Sequence, residues 1–359
     1  MGVSDTDVLI FGAGPVGCTL ALALGNSGWR TAVLDRSSST TSSSFRPIAL
    51  SYASRLILDR VGAWDGLEAT PIESVQVSQQ GAFGRTRLDA KDAGVPALGY
   101  VVDYAALATA LRSQVEKQGL VRTEKEIPAL CEVHAEGSAA TAAEKRYAQD
   151  AVVGLVRRAS IADSTAHERF TPEGPLALLP FSGRYALVWS ARPERARQLA
   201  EMPAAEFLRE LSAAAGSKFG MLTAIEGRAV LPLALRVRSA RIGPRSVYIG
   251  NAAQTLHPVA GQGLNLGLRD AWDLAQILRE AQDPGDAATL GRYAASRRLD
   301  ASATIRMTDL LADAFAGTGL LSRATRGLLL STALTALDVL PGPRRFFARR
   351  MIYGPSALP

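Results

Sequence analysis

The chain has 359 residues, 47% hydrophobic and 21% charged, with a formal net charge of +6. That is a globular composition long enough for two domains, and it excludes a disordered or fibrous chain. The two cysteines, Cys18 and Cys131, have no metal-like spacing and form no disulfide framework, and no apolar run reaches the ~18–20 residues of a membrane span.

That cysteine usage suits a reducing cytoplasm, and the first residues read straight into a strand, with no basic segment or cleavage signal expected. Val8-Leu9-Ile10-Phe11 reads as a buried strand. Gly12-Ala13-Gly14-Pro15-Val16-Gly17 is a GxGxxG turn, Cys18 to Gly25 an Ala/Leu-rich helix, and Thr31 to Leu34 a second strand ending at Asp35 and Arg36. Strand, turn, helix, strand and acid in this order make a dinucleotide-binding start. Gly12, Gly14 and Gly17, with Pro15, would admit a pyrophosphate at the helix N-terminus, and Asp35 would accept from an adenosine ribose. A turn with a surface aspartate is the competing reading, and the motif does not separate FAD from NAD.

Ser37 to Ser44 is a polar loop, followed by Arg46 and a helix from Ser51 to Val61. Arg46 can reach a phosphate or a flavin edge, or be an ordinary surface arginine. Ile72–Val77 and Arg85–Leu88 suggest a hairpin, and Asp103 caps a helix carrying Leu107, Ala110, Leu111 and Val115. From 151 to 190, four strand-like runs alternate with turns (151–156, 166–171, 175–180, 184–190). A helix at 203–215 and a strand at 228–237 follow, so this part reads as a mixed or antiparallel sheet. His134 and His167 have no partner pattern and read as structural or solvated.

A strand at Ser246–Ile249 then feeds a Gly-rich loop and an amphipathic helix with Leu264, Leu268, Ala271, Leu274, Ala275 and Leu278 on one face. Free N–H groups at that helix start can hold an anion, or a flat ring that becomes anionic; glycines serving only a turn read equally well. Residues 286–316 are helical and 320–340 Leu-rich. In the tail, Arg344, Arg345, Arg349 and Arg350 flank Phe346 and Phe347. These suit an anionic lipid surface, or a helix packed on its own protein with a solvated basic end. Nucleic acid is not expected as a partner.

GAGPVG with Asp35, and YIGNAAQTLHPVAGQGLNLGLRDA, together resemble the FAD-dependent aromatic hydroxylases, the group that includes p-hydroxybenzoate hydroxylase. RPIALSYASRLILDRVGAW, ERFTPEGPLALLP and GRYALVWS are similar to one subfamily, the 2-octaprenyl-6-methoxyphenol hydroxylases of ubiquinone biosynthesis. Asn251 stands where most members have Asp. Glu136-Gly137 stands as a remnant of their Asp-Gly motif without its following Arg, and 119–135 is shorter than the strands usually found there.

The resemblance implies an α/β fold with three parts. A discontinuous, Rossmann-like FAD-binding (GR2-type) domain covers 1–71, 99–150 and 240–285. A mixed or antiparallel-sheet substrate domain covers 72–98 and 151–239, and C-terminal helices at 286–359 contact a membrane. It implies noncovalent FAD, NADH or NADPH as co-substrate, and O2 reacting through a flavin C4a-hydroperoxide. The implied substrate is a hydrophobic prenylated phenol, within a ubiquinone-biosynthesis complex on the inner face of the cytoplasmic membrane. Gly250, Asn251, Gly261, Gln262, Gly263 and the N–H groups of Leu264 and Asn265 would face the flavin, with Pro258 near the ring and His257 beside it. An FAD-dependent reductase without oxygenation and a non-catalytic paralogue are the alternatives. No catalytic triad or metal pattern is visible.

Overall fold

The computed structural model describes residues 6–36, 46–137, 143–256, 262–316 and 323–354. Its first layer is a six-stranded sheet, in the order 242–243, 246–248, 129–134, 6–11, 31–34, 121–123. Thr6–Phe11 sits inside it, pairing in parallel with Thr31–Leu34 and with Ala129–His134. Both of its faces are covered, which is why it reads as a continuous apolar run. The shortened stretch 119–135 still supplies two strands, one of them beside the first strand.

Helix Pro15–Leu24 is buried along its length. It starts three residues earlier than the Cys18 expected from its Ala/Leu-rich run, because Pro15 is preorganised for the first helical position. A Cβ on Gly17 would lie 2.0 Å from the Gly12 carbonyl oxygen, so only glycine lets helix and turn approach.

The second layer is an eight-stranded mixed sheet, in the order 254–255, 222–237, 143–158, 184–191, 175–181, 165–170, 74–79, 85–89. Its one parallel pairing joins Thr165–Phe170 to Ser74–Gln79. Two of its strands, Ala143–Arg158 and Leu222–Val237, are 16 residues long and outrun the expected 151–156 and 228–237. Their pairing shifts register three times, which lets long strands bend, and Glu144 pairs with Arg236 along the polar extension that hid it. One face of this sheet carries Val152, Leu176, Leu187 and Trp189 under the helices Pro193–Glu201 and Ala204–Ala215. The other face looks toward the first layer.

A three-stranded sheet (47–51, 99–103, 69–72) bridges the two layers. The expected strand 72–77 breaks at Glu73: Ala69–Ile72 joins this sheet and Ser74–Gln79 the larger one. The helices Ala287–Ala316, Arg323–Val339 and Pro341–Tyr353 complete the chain. Gly84 lets Arg323–Val339 lie against the hairpin, since a Cβ there would meet Ser331 Cα at 2.5 Å. Ser331 Oγ donates to Gln79 Oε1 at 2.8 Å across the same contact. Among the described residues, no helix is long and apolar enough to cross a membrane.

Candidate active site

One cavity of about 1160 Å³ runs from the GxGxxG turn, past the head of helix Gln262–Arg279, to the inner face of the eight-stranded sheet. Gly12, Gly14, Pro15, Asp35, Arg36, Arg46, Gly250, Asn251, Gln262, Gly263, Leu264 and Asn265 all line it. Residues far apart in sequence are thus gathered on one surface. Pro258 and Gly261, with His257, lie outside the described residues.

At the turn, Gly12 has φ +104°, and a Cβ there would meet Glu136 N at 3.0 Å. Gly14 caps the helix that follows, and the nearest atom to a Cβ on it is Tyr104 Oη at 4.0 Å. Among the described residues nothing clashes with a Cβ on Gly14, whereas a group lying against the turn would. Arg112 Nε donates to Ala13 O at 3.2 Å, which holds a cation beside this opening. Its helix, Tyr104–Lys117, reads in sequence only as amphipathic, and helix packing alone brings Arg112 here. Asp35 follows strand Thr31–Leu34, its N–H donating to Thr123 O at 3.0 Å. Arg36 pairs with Glu126 at the rim. The Arg46 guanidinium lies 5.1 Å from the Tyr104 ring centroid, and its backbone N–H donates to Asp103 Oδ2 at 3.1 Å.

The second motif is held by charge. Gly250 has φ +58°, and its N–H donates to Asp270 Oδ2 at 3.1 Å. Gln254 Nε2 donates to the same oxygen at 2.8 Å, and Arg297 Nε donates to Asp270 Oδ1 at 2.8 Å. Arg297 is fully buried and also pairs with Asp273 and Asp300, while Arg269 pairs with Asp300 at 3.0 Å. Burial opposes the Arg297 charge, but the surrounding aspartates outweigh it and raise its pKa above the usual value. Burial likewise pushes Asp300 upward, and Arg269 and Arg297 overcome it to leave that carboxyl below its ordinary value. Asp273 stays raised, burial outweighing Arg297. The sequence cue for this network was Arg269-Asp270, a charged pair inside an apolar stripe.

Asn265 spends its side chain on the protein. Its Oδ1 accepts from Ser51 N at 2.8 Å and Ser54 Oγ at 2.7 Å, and its Nδ2 donates to Ala49 O at 2.9 Å. What it can offer the cavity is backbone. Among the described residues, a Cβ on Gly263 would meet nothing within 4 Å. Glu136 lies beside Gly12 and hydrogen-bonds His134 Nδ1 at 3.1 Å. His134 is structural, stacked between Phe11 and Tyr248 with centroids 4.7 Å away on each side. His167 packs edge-on to Tyr185 and Phe219, and burial lowers its pKa.

Two glycines opening onto free space, a cation at the first and a helix start at the second fit a dinucleotide with a flat ring at its far end. The family described as FAD binding domain matches residues 5–153 and 139–308. Ubiquinone hydroxylase UbiL of Rhodospirillum rubrum is 32% identical over 86% of this chain and 81% of its own. The 3-demethoxyubiquinol 3-hydroxylase of Escherichia coli is 28% identical over 82% of this chain and 86% of its own. The solved p-nitrophenol 4-monooxygenase PnpA of Pseudomonas putida superposes with a TM-score of 0.72 at 17% identity over 96% of each chain, a likeness of fold. The chain belongs to the FAD binding domain family and is a flavoprotein monooxygenase of the FAD-dependent aromatic hydroxylase type.

Proposed function

We propose that the chain hydroxylates an electron-rich phenol bearing a hydrophobic prenyl tail, as a step of ubiquinone biosynthesis. The observation that carries this reading is the continuity of the cavity, from the dinucleotide turn to an apolar sheet face without a break. The relatives named as ubiquinone and demethoxyubiquinol hydroxylases support the substrate class.

In this reading Gly12, Gly14 and Pro15 receive the diphosphate of FAD, with Arg112 as countercharge, and Gly17 lets helix and turn approach each other. Asp35 and Arg36 lie on the adenosine side. Arg46, Gly250, Asn251 and the helix head at Gln262 to Asn265 lie on the ring side. Bound FAD would supply the redox chemistry of such a hydroxylation, with NAD(P)H as reductant and O2 as the source of the inserted oxygen atom. The chain's own contribution is placement and dryness. The N-terminus of helix Gln262–Arg279 offers partial positive charge where negative charge gathers. Leu334, Leu337, Phe347 and Met351 close the side opposite the sheet, keeping water off the reacting ring.

The C-terminal helix divides its faces. Phe347, Met351 and Ile352 face inward, whereas Leu340 and Phe346 are exposed with Arg345 and Arg349 around them. This outer face suits peripheral contact with an anionic membrane, from which a prenylated substrate would enter. Deleting the gene and identifying the accumulated quinone precursor tests the pathway. Product formed per NAD(P)H and O2 consumed tests the reaction, because a reductase would spend NAD(P)H without hydroxylated product. A purified protein without flavin colour would favour a non-catalytic paralogue.

A further inference from the structure

Strand register places Val153, Val188, Ala177, Glu168, Val77 and Thr86 in a single row across six strands of the large sheet. All six line the cavity. Four are alanine or valine. Val75, Leu155, Ala166 and Leu179 on the same wall are also apolar. Glu168 is thus a lone carboxyl on a greasy surface. Its neighbour Arg169 gives it no countercharge, for that side chain turns to the opposite face and donates to Ser78 Oγ at 3.3 Å. Among the described residues the Glu168 carboxyl has neither a hydrogen bond nor an ion pair, and burial alone raises its pKa. Thr86, two strands along the row, is 96% buried, and among the described residues its hydroxyl has no hydrogen-bond partner.

A carboxyl and a hydroxyl on an apolar wall cost stability unless something bound completes them. They stand about 10 Å apart at the backbone, the span of two strand spacings. A ring lying over Val77 could reach both. We infer that Glu168 is the acceptor for the hydroxyl group of an otherwise apolar aromatic ligand, with Thr86 as a second, weaker polar anchor. The assignment rests on reading the cavity as the substrate site. A hydrogen bond to a desolvated carboxylate is among the strong ones, and it is lost if the ligand hydroxyl is capped. It would fix which edge of the ring meets the sheet and which carbon is turned to the flavin.

The test is calorimetric titration of the holoprotein with 4-heptylphenol and with its methyl ether, for wild type, Glu168→Gln, Glu168→Leu and Thr86→Val. Wild type is expected to prefer the phenol by about tenfold or more. Glu168→Leu should remove the preference while binding the ether at least as well. Glu168→Gln and Thr86→Val should show partial losses. Flavin content and thermal stability should not fall in Glu168→Leu. Equal binding of the two probes by wild type, no binding of either, a preference that survives Glu168→Leu, or a Glu168→Leu protein that fails to fold would each overturn the assignment. The probe ratio needs no flavin signal. A colourless wild type that nevertheless prefers the phenol would therefore sink the monooxygenase reading and leave Glu168 as the hydroxyl acceptor.

Discussion

The backbone N–H of Gly250 donates to Oδ2 of Asp270 at 3.1 Å, tying the start of the second cofactor motif to the middle of the helix that follows it. Arg297 holds the other oxygen of the same carboxylate from a third element. Gly250 is therefore positioned by a buried charge cluster and not by its backbone freedom alone.

Asp270→Asn should cost about 3–5 kcal/mol, since it leaves the buried Arg297 charge undercompensated. Thermal or denaturant unfolding of the flavin-free protein measures this. Adding Arg297→Met should recover much of the stability but not the flavin retention, because Gly250 would still lack its carboxylate partner. If the double variant also recovers full flavin retention, the carboxylate does not position the loop.

The cluster also sets a pH dependence. The Asp300 carboxyl titrates below its ordinary value in the folded chain, so it binds a proton more readily when unfolded. Its stabilising contribution is present above the unfolded value of about 3.9 and is lost as pH falls through the folded value. Asp300→Asn should therefore lower stability at neutral pH and flatten the acid limb of the stability curve. A variant whose acid limb stays parallel to wild type would show that other carboxylates dominate.

Gly14→Val and Gly263→Val are informative because, among the described residues, a Cβ at either position meets nothing closer than 4.0 Å. Each variant should fold with near wild-type stability in the absence of flavin. Gly14→Val should lose flavin retention, and Gly263→Val should lose flavin or uncouple NAD(P)H oxidation from hydroxylation, releasing hydrogen peroxide. Glu136→Gln should uncouple far less, although Glu136 stands beside Gly12. Flavin occupancy and product per NAD(P)H distinguish these, and equal uncoupling by Glu136→Gln and Gly263→Val would make the Glu-Gly pair a working part of the site.

Removing residues 343–359 would open the cavity as well as delete the basic tail, since Phe347 and Met351 line the wall. A cleaner test of membrane contact is the pair Leu340→Ser and Phe346→Ser, both on exposed positions. Partitioning to anionic vesicles at low salt should fall by about tenfold or more, from the lost apolar insertion of two side chains. Flavin content should hold. Unchanged partitioning would remove this face from the membrane role.

The first nucleotide-binding unit was legible from residues 6–36 because its determinants are local. A GxGxxG turn, a proline at the first helical position and short continuous apolar runs encode their own dihedrals and burial. The second motif was legible for the same reason, as a Gly-rich loop feeding a helix. The long strands 143–158 and 222–237 were only half visible, because their polar ends are stabilised by each other across the sheet and not by any period of their own. Arg112 beside Ala13, Asp270 against Arg297, and the inward turn of Phe347 come from helix packing between segments far apart in sequence. Glu168 and Thr86 share a face only through the register of strands 165–170, 74–79 and 85–89, and a one-residue slip would send either to the other side. The cofactor turns are written in short stretches, although Arg112 and Arg297 reach them only through helix packing; the surface that would meet a substrate exists only once six strands are aligned.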